Sequence, residues 1–470
     1  MDVEASSASQ SENEKGSNGQ NMSTWPKGFA AQETWEDAAK FNIRSVCYIW
    51  FLFRLMDTIS YGAFFDVYLA ELSGGRVALV GLVETVNSLT QVVAAFPLGL
   101  CADRYSRSWI MRGTAVSGAI AFSLYVLAIF MGAKLGLIVA VALYALYKQS
   151  YGGTMDVMIA DAVTSDIVTQ VATRKIQLGT LGAALGPLVQ MLLLACNIFG
   201  EQEDVVSSDV AWNTAELQGV LLSGWLIFPF IAPALCRFKD LPLRPPQNTS
   251  PSAMPKLPKP DDSEQPLLAA GTVQRAWWIV PVLLEIFRVI CLLSAGMTTR
   301  YFALLFKNLY SLGPVTVAAL FALSPLLTTG ALQIVPRFSE SCCRQALVMH
   351  LMSCAALLWL SVARDPVSGG IALFLYQASA KLLDVPIYTM VLSSVKPEHR
   401  GKFFQLLSIK PITFGASALL GSYIIDSYGY RPAVAITGFS LLFLATPLLL
   451  VVYCMELTQP DGKMRPDLEC

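Results

Sequence analysis

Charge is scarce in this sequence. Asp, Glu, Lys and Arg make up 14% of the 470 residues, hydrophobic residues make up 54%, and the mean hydropathy is +0.53. Soluble domains carry about 25% charged residues, so most of the surface of this chain faces something other than water. The formal net charge is only −1, which excludes the basic surface that nucleic-acid binding needs. Histidine is rarer still: His350 and His399 are the two in the chain, too few for a histidine-based metal site. The ten cysteines are scattered, mostly within apolar runs, without metal-ligand spacing, and read as small apolar residues. The sequence carries no GxGD, HExxH or Walker element, so an integral-membrane enzyme has no motif support. No cofactor or metal is implied. The opening Ser-, Asn-, Glu- and Gly-rich stretch has no basic segment followed by an apolar one, so it reads as a disordered tail over 1–43.

What is present is long apolar runs. A hydrocarbon core of about 30 Å needs about 20 apolar residues per helix. Twelve candidate spans meet that need, near 45–70, 77–101, 108–132, 135–160, 176–199, 219–237, 276–303, 314–335, 346–363, 367–393, 403–425 and 432–454. The expectation is an all-α integral membrane protein. A six-helix bundle over 44–237 and a second over 276–455 are joined by a Pro-, Ser- and Lys-rich linker at 238–275, and a tail follows at 456–470. Fifteen Lys and Arg residues, from Lys40 to Lys402, fall on one side of the bilayer. Only Arg76, Lys134, Lys307, Arg364 and Arg431 fall on the other. Both termini and the linker are therefore expected in the cytoplasm, with the acidic loop around Glu201 and Asp204 opposite. The sequons at Asn21 and Asn248 then receive no glycan. An imperfect acidic dileucine stretch at Asp261–Leu268 leaves plasma membrane and endomembrane both open.

The halves look like copies. At an offset of 228, Gln149 falls on Gln377 and Asp156 on Asp384; at another offset Arg54, Ser60 and Gly62 fall on Arg288, Ser294 and Gly296. Repeats related by an axis along the membrane normal are a transporter architecture, with the solute site between them.

Several loop and helix motifs stand at fixed places in this pattern. After the second span come Gly99, Asp103, Arg104 and Arg107, which resemble the major facilitator signature G-x-x-x-D-R-x-G-R, with Ser106 at its second glycine. Gly182, Gly186 and Pro187 resemble the G-x-x-x-G-P element of proton-linked drug antiporters, with Gln190 and Met191 where that family continues with glycines; they equally suit a helix-packing face. Lys148 and Gly152 are similar to a family element that has arginine in place of the lysine. Pro397, Arg400 and Gly401 resemble the element before span eleven, and Gly421 to Asp426, with Gly429 and Arg431, resemble the end of that span. The resemblance covers about residues 45 to 455. It implies the twelve-helix major facilitator fold, and alternating access for a small solute. It also implies a cytoplasmic latch built from Gly99, Asp103, Arg104 and Arg107.

Ionisable residues at bilayer depth are costly and mark pathways or partners. Asp57 lies mid-span, with Arg54 one turn before it. Drug antiporters of this superfamily carry a carboxylate at about this place, so Asp57 reads either as a proton carrier or as a static partner of Arg54. Glu84 shares a face with Asn87 and Gln91; Glu285 shares one with Arg288. Asp156 and Asp384 read as gate residues paired with Lys148, Lys381 or loop arginines, alongside Arg400. Tyr61 and Tyr151 are candidates for the cavity wall. The expected solute and proton path is thus Asp57, Arg54, Glu84, Tyr61, Tyr151, Glu285 and Arg288. A proton-coupled transporter, monomeric in the lipid bilayer, is the reading. A proton-independent facilitator is one alternative. Another is an organic-anion exchanger that uses Arg54 and Arg288, in which the guanidinium pair would clamp the anion unless Asp57 and Glu285 neutralise it.

Overall fold

The computed structural model describes residues 27–162, 168–196, 198–199, 212–241, 279–334, 342–394 and 410–457. Residues before 27, beyond 457 and over 242–278 lie outside the described residues. So do the acidic loop and the Pro397–Gly401 element. The described chain is helical throughout. The first span is α1 (Lys27–Ser60) continued by α2 (Ala63–Leu72). Spans two to five are α3 (Ala78–Arg104), α4 (Arg107–Phe130), α5 (Lys134–Ala162) and α6 (Val168–Ala195). Span six is α7 (Thr214–Trp225) with α8 (Phe228–Cys236). Span seven is α9 (Ile279–Gly296), a 3₁₀ turn (Thr299–Tyr301) and α10 (Phe302–Tyr310). Spans eight to eleven are α11 (Pro314–Ile334), α12 (Cys342–Val362), α13 (Pro366–Ser394) and α14 (Lys410–Tyr428). Span twelve is α15 (Tyr430–Ser440), a π turn (Leu441–Ala445) and α16 (Thr446–Leu457).

Nine of these spans, among the described residues, are long and apolar enough to cross a bilayer on those grounds alone. The first, fourth and eleventh fall short. The first carries Arg54, Asp57 and Asp66, the fourth Lys148 and Asp156, and the eleventh is thick with Gly, Ser and Pro. The spans with the weakest apolar signal include those that carry the ionisable groups. Three spans differ most from their expected bounds, one of them span five, whose helix starts at Val168 rather than near 176. Helix α1 starts at Lys27 rather than near 45, so the later part of the segment expected to be a tail is helical. Ala38, Ala39 and Asn42 are buried there, because they continue the inward face of Val46 and Ile49. Span seven runs on to Tyr310, past an irregular turn at 297–301.

Close contact between α1 and α6 rests on small residues. A Cβ on Gly182 would lie 2.5 Å from the Phe51 carbonyl oxygen, and one on Gly186 would lie 2.7 Å from the Thr58 Cβ. The two helices thus meet almost backbone to backbone, and the Gln190 amide of α6 donates to the Ile59 carbonyl of α1 (2.9 Å). The apolar core is asymmetric. From Tyr301 to Phe306, and at Leu357, Tyr376 and Val434, the second half joins one continuous cluster with the first. Toward the end that bears the chain termini, Leu284, Phe287, Leu383, Ile387 and Leu449 form a separate cluster of the second half. The halves are therefore cemented at the end far from the termini.

Two polar clamps close the terminal end of the first half. Asn42 donates to the Lys239 carbonyl (2.8 Å) and accepts from the Lys239 N–H (3.2 Å). Asp240 accepts from the Ser108 N–H (2.9 Å) and the Ser108 hydroxyl (2.5 Å) at the start of α4, where the helix dipole favours an anion. Partial burial pushes this carboxyl up, but the two Ser108 hydrogen bonds outweigh it and hold it below its ordinary value. Its contribution to stability is fully present above the unfolded-state pKa of about 3.9 and is lost as pH falls through the lower folded value. Asp240→Asn is expected to lower the thermal midpoint at neutral pH and to flatten the acid limb of midpoint against pH in detergent. An acid limb identical to that of the parent protein would show that the clamp contributes nothing.

Candidate functional site

Arg54 and Asp57 on α1, and Tyr61 just after it, follow at intervals of three and four residues, and the Tyr61 N–H still bonds the Asp57 carbonyl (2.8 Å), so they share one face. Asp57 is buried and has three partners. Arg54 Nη1 lies 3.0 Å from its Oδ2, Lys148 Nζ on α5 lies 3.6 Å from its Oδ1, and the Tyr144 hydroxyl donates to that same oxygen. The side chains of Arg54 and Lys148 are 36% and 28% exposed, against 10% for Asp57, so the cations stand in front of the carboxylate. Behind them is a wall of stacked rings: Phe53, Tyr144, Tyr147, Tyr151, Trp225 and Phe228, with centroids 4.6 to 6.4 Å apart. Such a wall fixes α1 against α5 and α7 and keeps the Asp57 surroundings dry.

A second cluster begins where the first span breaks at Tyr61–Gly62. Arg300, held in the 3₁₀ turn of span seven, reaches across to the first half. Its Nη2 lies 2.5 Å from Glu84 Oε2, and its Nη1 lies 3.6 Å from Asp66 Oδ2 and 3.3 Å from the Tyr61 carbonyl oxygen. The guanidinium stacks over the Tyr61 ring at 5.0 Å. Glu84 also accepts from the Tyr61 hydroxyl (3.3 Å) and from the Asn87 amide (3.2 Å), which in turn accepts from Gln91. Asp66 and Glu84 are both buried. A cavity of about 270 Å³ opens between the halves here, lined by Ala63 and Asp66 on one side and by Thr299, Arg300, Ala303, Phe321 and Phe414 on the other.

Further bridges between the halves lie toward the same far end. Lys307 pairs with Glu71 and sits over Trp212, whose indole N–H donates to the Leu312 carbonyl (3.1 Å). Asp426 accepts from the Val77 N–H (3.2 Å), and Thr85 donates to the Gly415 carbonyl (2.8 Å). At the terminal end the residues expected to form a gate are placed differently. Arg104 and Asp384 are exposed, and Asp384 faces Lys381 on its own helix at 3.8 Å with both side chains more than half exposed. Lys148, expected beside Asp156, turns to Asp57 instead. Gly99 has open space around it, and Arg107 is half-buried. The side chains of Asp103 and Asp156, and all of Arg400, lie outside the described residues. Arg288 and Glu285, 3.6 Å apart, form a pair on one helix.

Asp66 and Tyr144 were not singled out from sequence. Asp66 carried a usable signal, an ionisable residue inside an apolar run, whereas nothing in the sequence distinguishes Tyr144 from the other tyrosines of span four. Among the described residues no group of three or more His, Cys, Asp and Glu side chains is placed to hold a metal ion.

Residues 47–409 match the family model described as Major Facilitator Superfamily. No curated protein sequence matches the chain. Solved structures of the same architecture include a mutant of the nucleoside transporter NupG, 14% identical, covering 88% of this chain and 99% of its own, with a TM-score of 0.59. Another is a bacterial homolog of the human lysosomal transporter Spinster in an inward-facing, unoccupied conformation, at 12% identity, 89% and 98% coverage and a TM-score of 0.61. A third is the human organic anion transporter MFSD10, at 15% identity, 88% and 99% coverage and a TM-score of 0.57. At these identities the likeness is one of fold.

Charge counting over the far cluster gives two buried carboxylates against one guanidinium. Removing the cation should therefore be far worse than removing one anion. Arg300→Met is expected to destabilise the protein by about 3–5 kcal/mol, because it strands two charges. Asp66→Asn is expected to hold or raise stability, because Glu84 and Arg300 then balance. Thermal unfolding of both variants in detergent checks the order; equal losses would mean that Asp66 is not surplus charge.

Proposed function

Since this chain belongs to the major facilitator superfamily, we propose that it is a secondary active transporter of a small organic solute, and that protons drive it through Asp66, Glu84 and Arg300. The observation that carries this reading is the single guanidinium from the second half shared between two buried carboxylates of the first. With both ionised the cluster holds one surplus negative charge in a low-dielectric space, which one proton cancels. Opening the far end separates the halves and withdraws Arg300. Both carboxylates then lose their counter-charge and take up protons from that side. Closing returns Arg300, which favours the ionised forms and expels a proton toward the other side. Alternating access and proton movement are in this way one event.

Asp57 is less suited to carry the proton. Protonating it would leave Arg54 and Lys148 both without an anion, whereas protonating Asp66 or Glu84 leaves a balanced pair. The excess of Lys and Arg on the terminal side places both termini in the cytoplasm on this reading, so protons enter from outside or from an organelle lumen.

Purified protein in proteoliposomes with an internal pH dye is the test. Addition of the transported solute pool is expected to move protons with it. Glu84→Gln and Asp66→Asn are expected to abolish the proton movement while keeping exchange of solute between the two sides. Uptake by the parent protein with no pH change, at a rate indifferent to external pH, would identify a facilitator and end the coupling proposal.

A further inference from the structure

Among the described residues, the cluster around Asp57 has the opposite imbalance from the far cluster: one carboxylate faces two cations. We propose that Arg54 and Lys148 bind the anionic group of the solute, a carboxylate or a phosphate monoester. This assignment rests on the transporter reading above.

Four observations converge on it. First, both oxygens of Asp57 are already engaged, since Oδ2 accepts from Arg54 and Oδ1 accepts from Tyr144. Second, the cations have donors to spare. Arg54 uses Nη1 on Asp57, and its other guanidinium nitrogens have no protein partner among the described residues. Lys148 stands 3.6 Å from Asp57, outside hydrogen-bond geometry. A guanidinium with two free N–H groups in its plane matches a planar carboxylate or a phosphate oxygen pair. Third, Arg54 and Lys148 are three to four times as exposed as Asp57, so the positive charge is the surface that a solute meets. Fourth, Arg54 lies on the same stripe of α1 as Tyr61, and Tyr61 touches Arg300 of the second half. The stripe therefore faces the space between the halves. The buried Tyr147 hydroxyl, without a hydrogen-bond partner among the described residues, lies in the ring wall beside this cluster.

Arg288, at the matching place in the second half, does not extend the site. It faces Glu285 on its own helix at 3.6 Å, and the two cancel. The positive excess belongs to the first half alone, and Asp57 acts as a positioning residue that holds the two cations in place between solutes.

Proteoliposomes containing the full chain would be offered separate mixed pools of organic carboxylates, phosphate monoesters, organic cations and uncharged polyols, with uptake read by mass spectrometry. Uptake from the carboxylate or the phosphate pool is expected, and which pool responds identifies the headgroup. With a responding compound, Arg54→Gln is expected to raise the half-saturating concentration about tenfold or more, the loss of a charge-assisted hydrogen bond. Lys148→Gln is expected to raise it as well, and Asp57→Asn to lower it by unmasking both cations. Uptake confined to cations or polyols, and abolished by Asp57→Asn, would overturn the anion assignment and leave the transport reading standing. No pool moving, with no pH change for any of them, would bring both down.

Discussion

One guanidinium governs how this molecule is put together. Arg300 is half-buried between the halves at bilayer depth, where an unpaired cation is costly by any scale. Its partners Glu84 and Asp66 come from the other half of the chain, 216 and 234 residues away. The two six-helix bundles therefore meet in the one arrangement that brings these side chains together. The packing of α10 on α2, the Lys307–Glu71 pair, the Trp212 hydrogen bond and the merged apolar core all lie around or beyond this bridge, and all depend on the same approach. At the other end no comparable bridge is described, and the second half keeps an apolar cluster of its own.

Two charge clusters of opposite sign sit along the first span. Asp57, Arg54 and Lys148 sum to one positive charge; Asp66, Glu84 and Arg300 sum to one negative charge. The link between them is aromatic. Tyr144 donates to Asp57, its ring packs 5.3 Å from that of Tyr61, and Tyr61 donates to Glu84. On the proposed reading, a solute anion neutralises the first cluster and a proton neutralises the second. The loaded carrier is then neutral at both places, and the empty one is polarised along α1 and α2. A carrier of that design resists moving half-loaded, since either ligand alone leaves a net charge in a low-dielectric setting.

Much of the fold was legible because membrane spanning is written in local composition. All twelve spans were read from apolar runs, and nine of them meet a strict test of length and hydropathy among the described residues. The pairs Arg54–Asp57 and Glu285–Arg288 were legible for the same local reason: three residues apart on a helix means one face. The far cluster was not, because its pairs join residues more than two hundred positions apart and no periodicity encodes that distance. Glu84 stood out as a polar face with Asn87 and Gln91, but its partner could not be named. Lys148 was expected beside Asp156 on their common helix, and a neighbouring helix supplies it with an anion in Asp57. The helical start at Lys27 was hidden by the polar composition of that stretch, where the buried residues among those described are two alanines and an asparagine.

The π turn at Leu441–Ala445 carries a separate consequence. One extra residue per turn there pairs the Leu441 carbonyl with the Thr446 N–H, five residues on, and the ring of His350 and the hydroxyl of Thr446 also come within 3.3 Å of it. An inserted residue rotates everything after it by about 100°. The faces of α15 and α16 are thus set independently, α15 against the far end of the second half and α16 against α9. A single deletion in this turn would leave the hydropathy of span twelve unchanged yet swing Leu449 and Val452 out of the core. Length, rather than composition, sets which side chains of this helix reach the core.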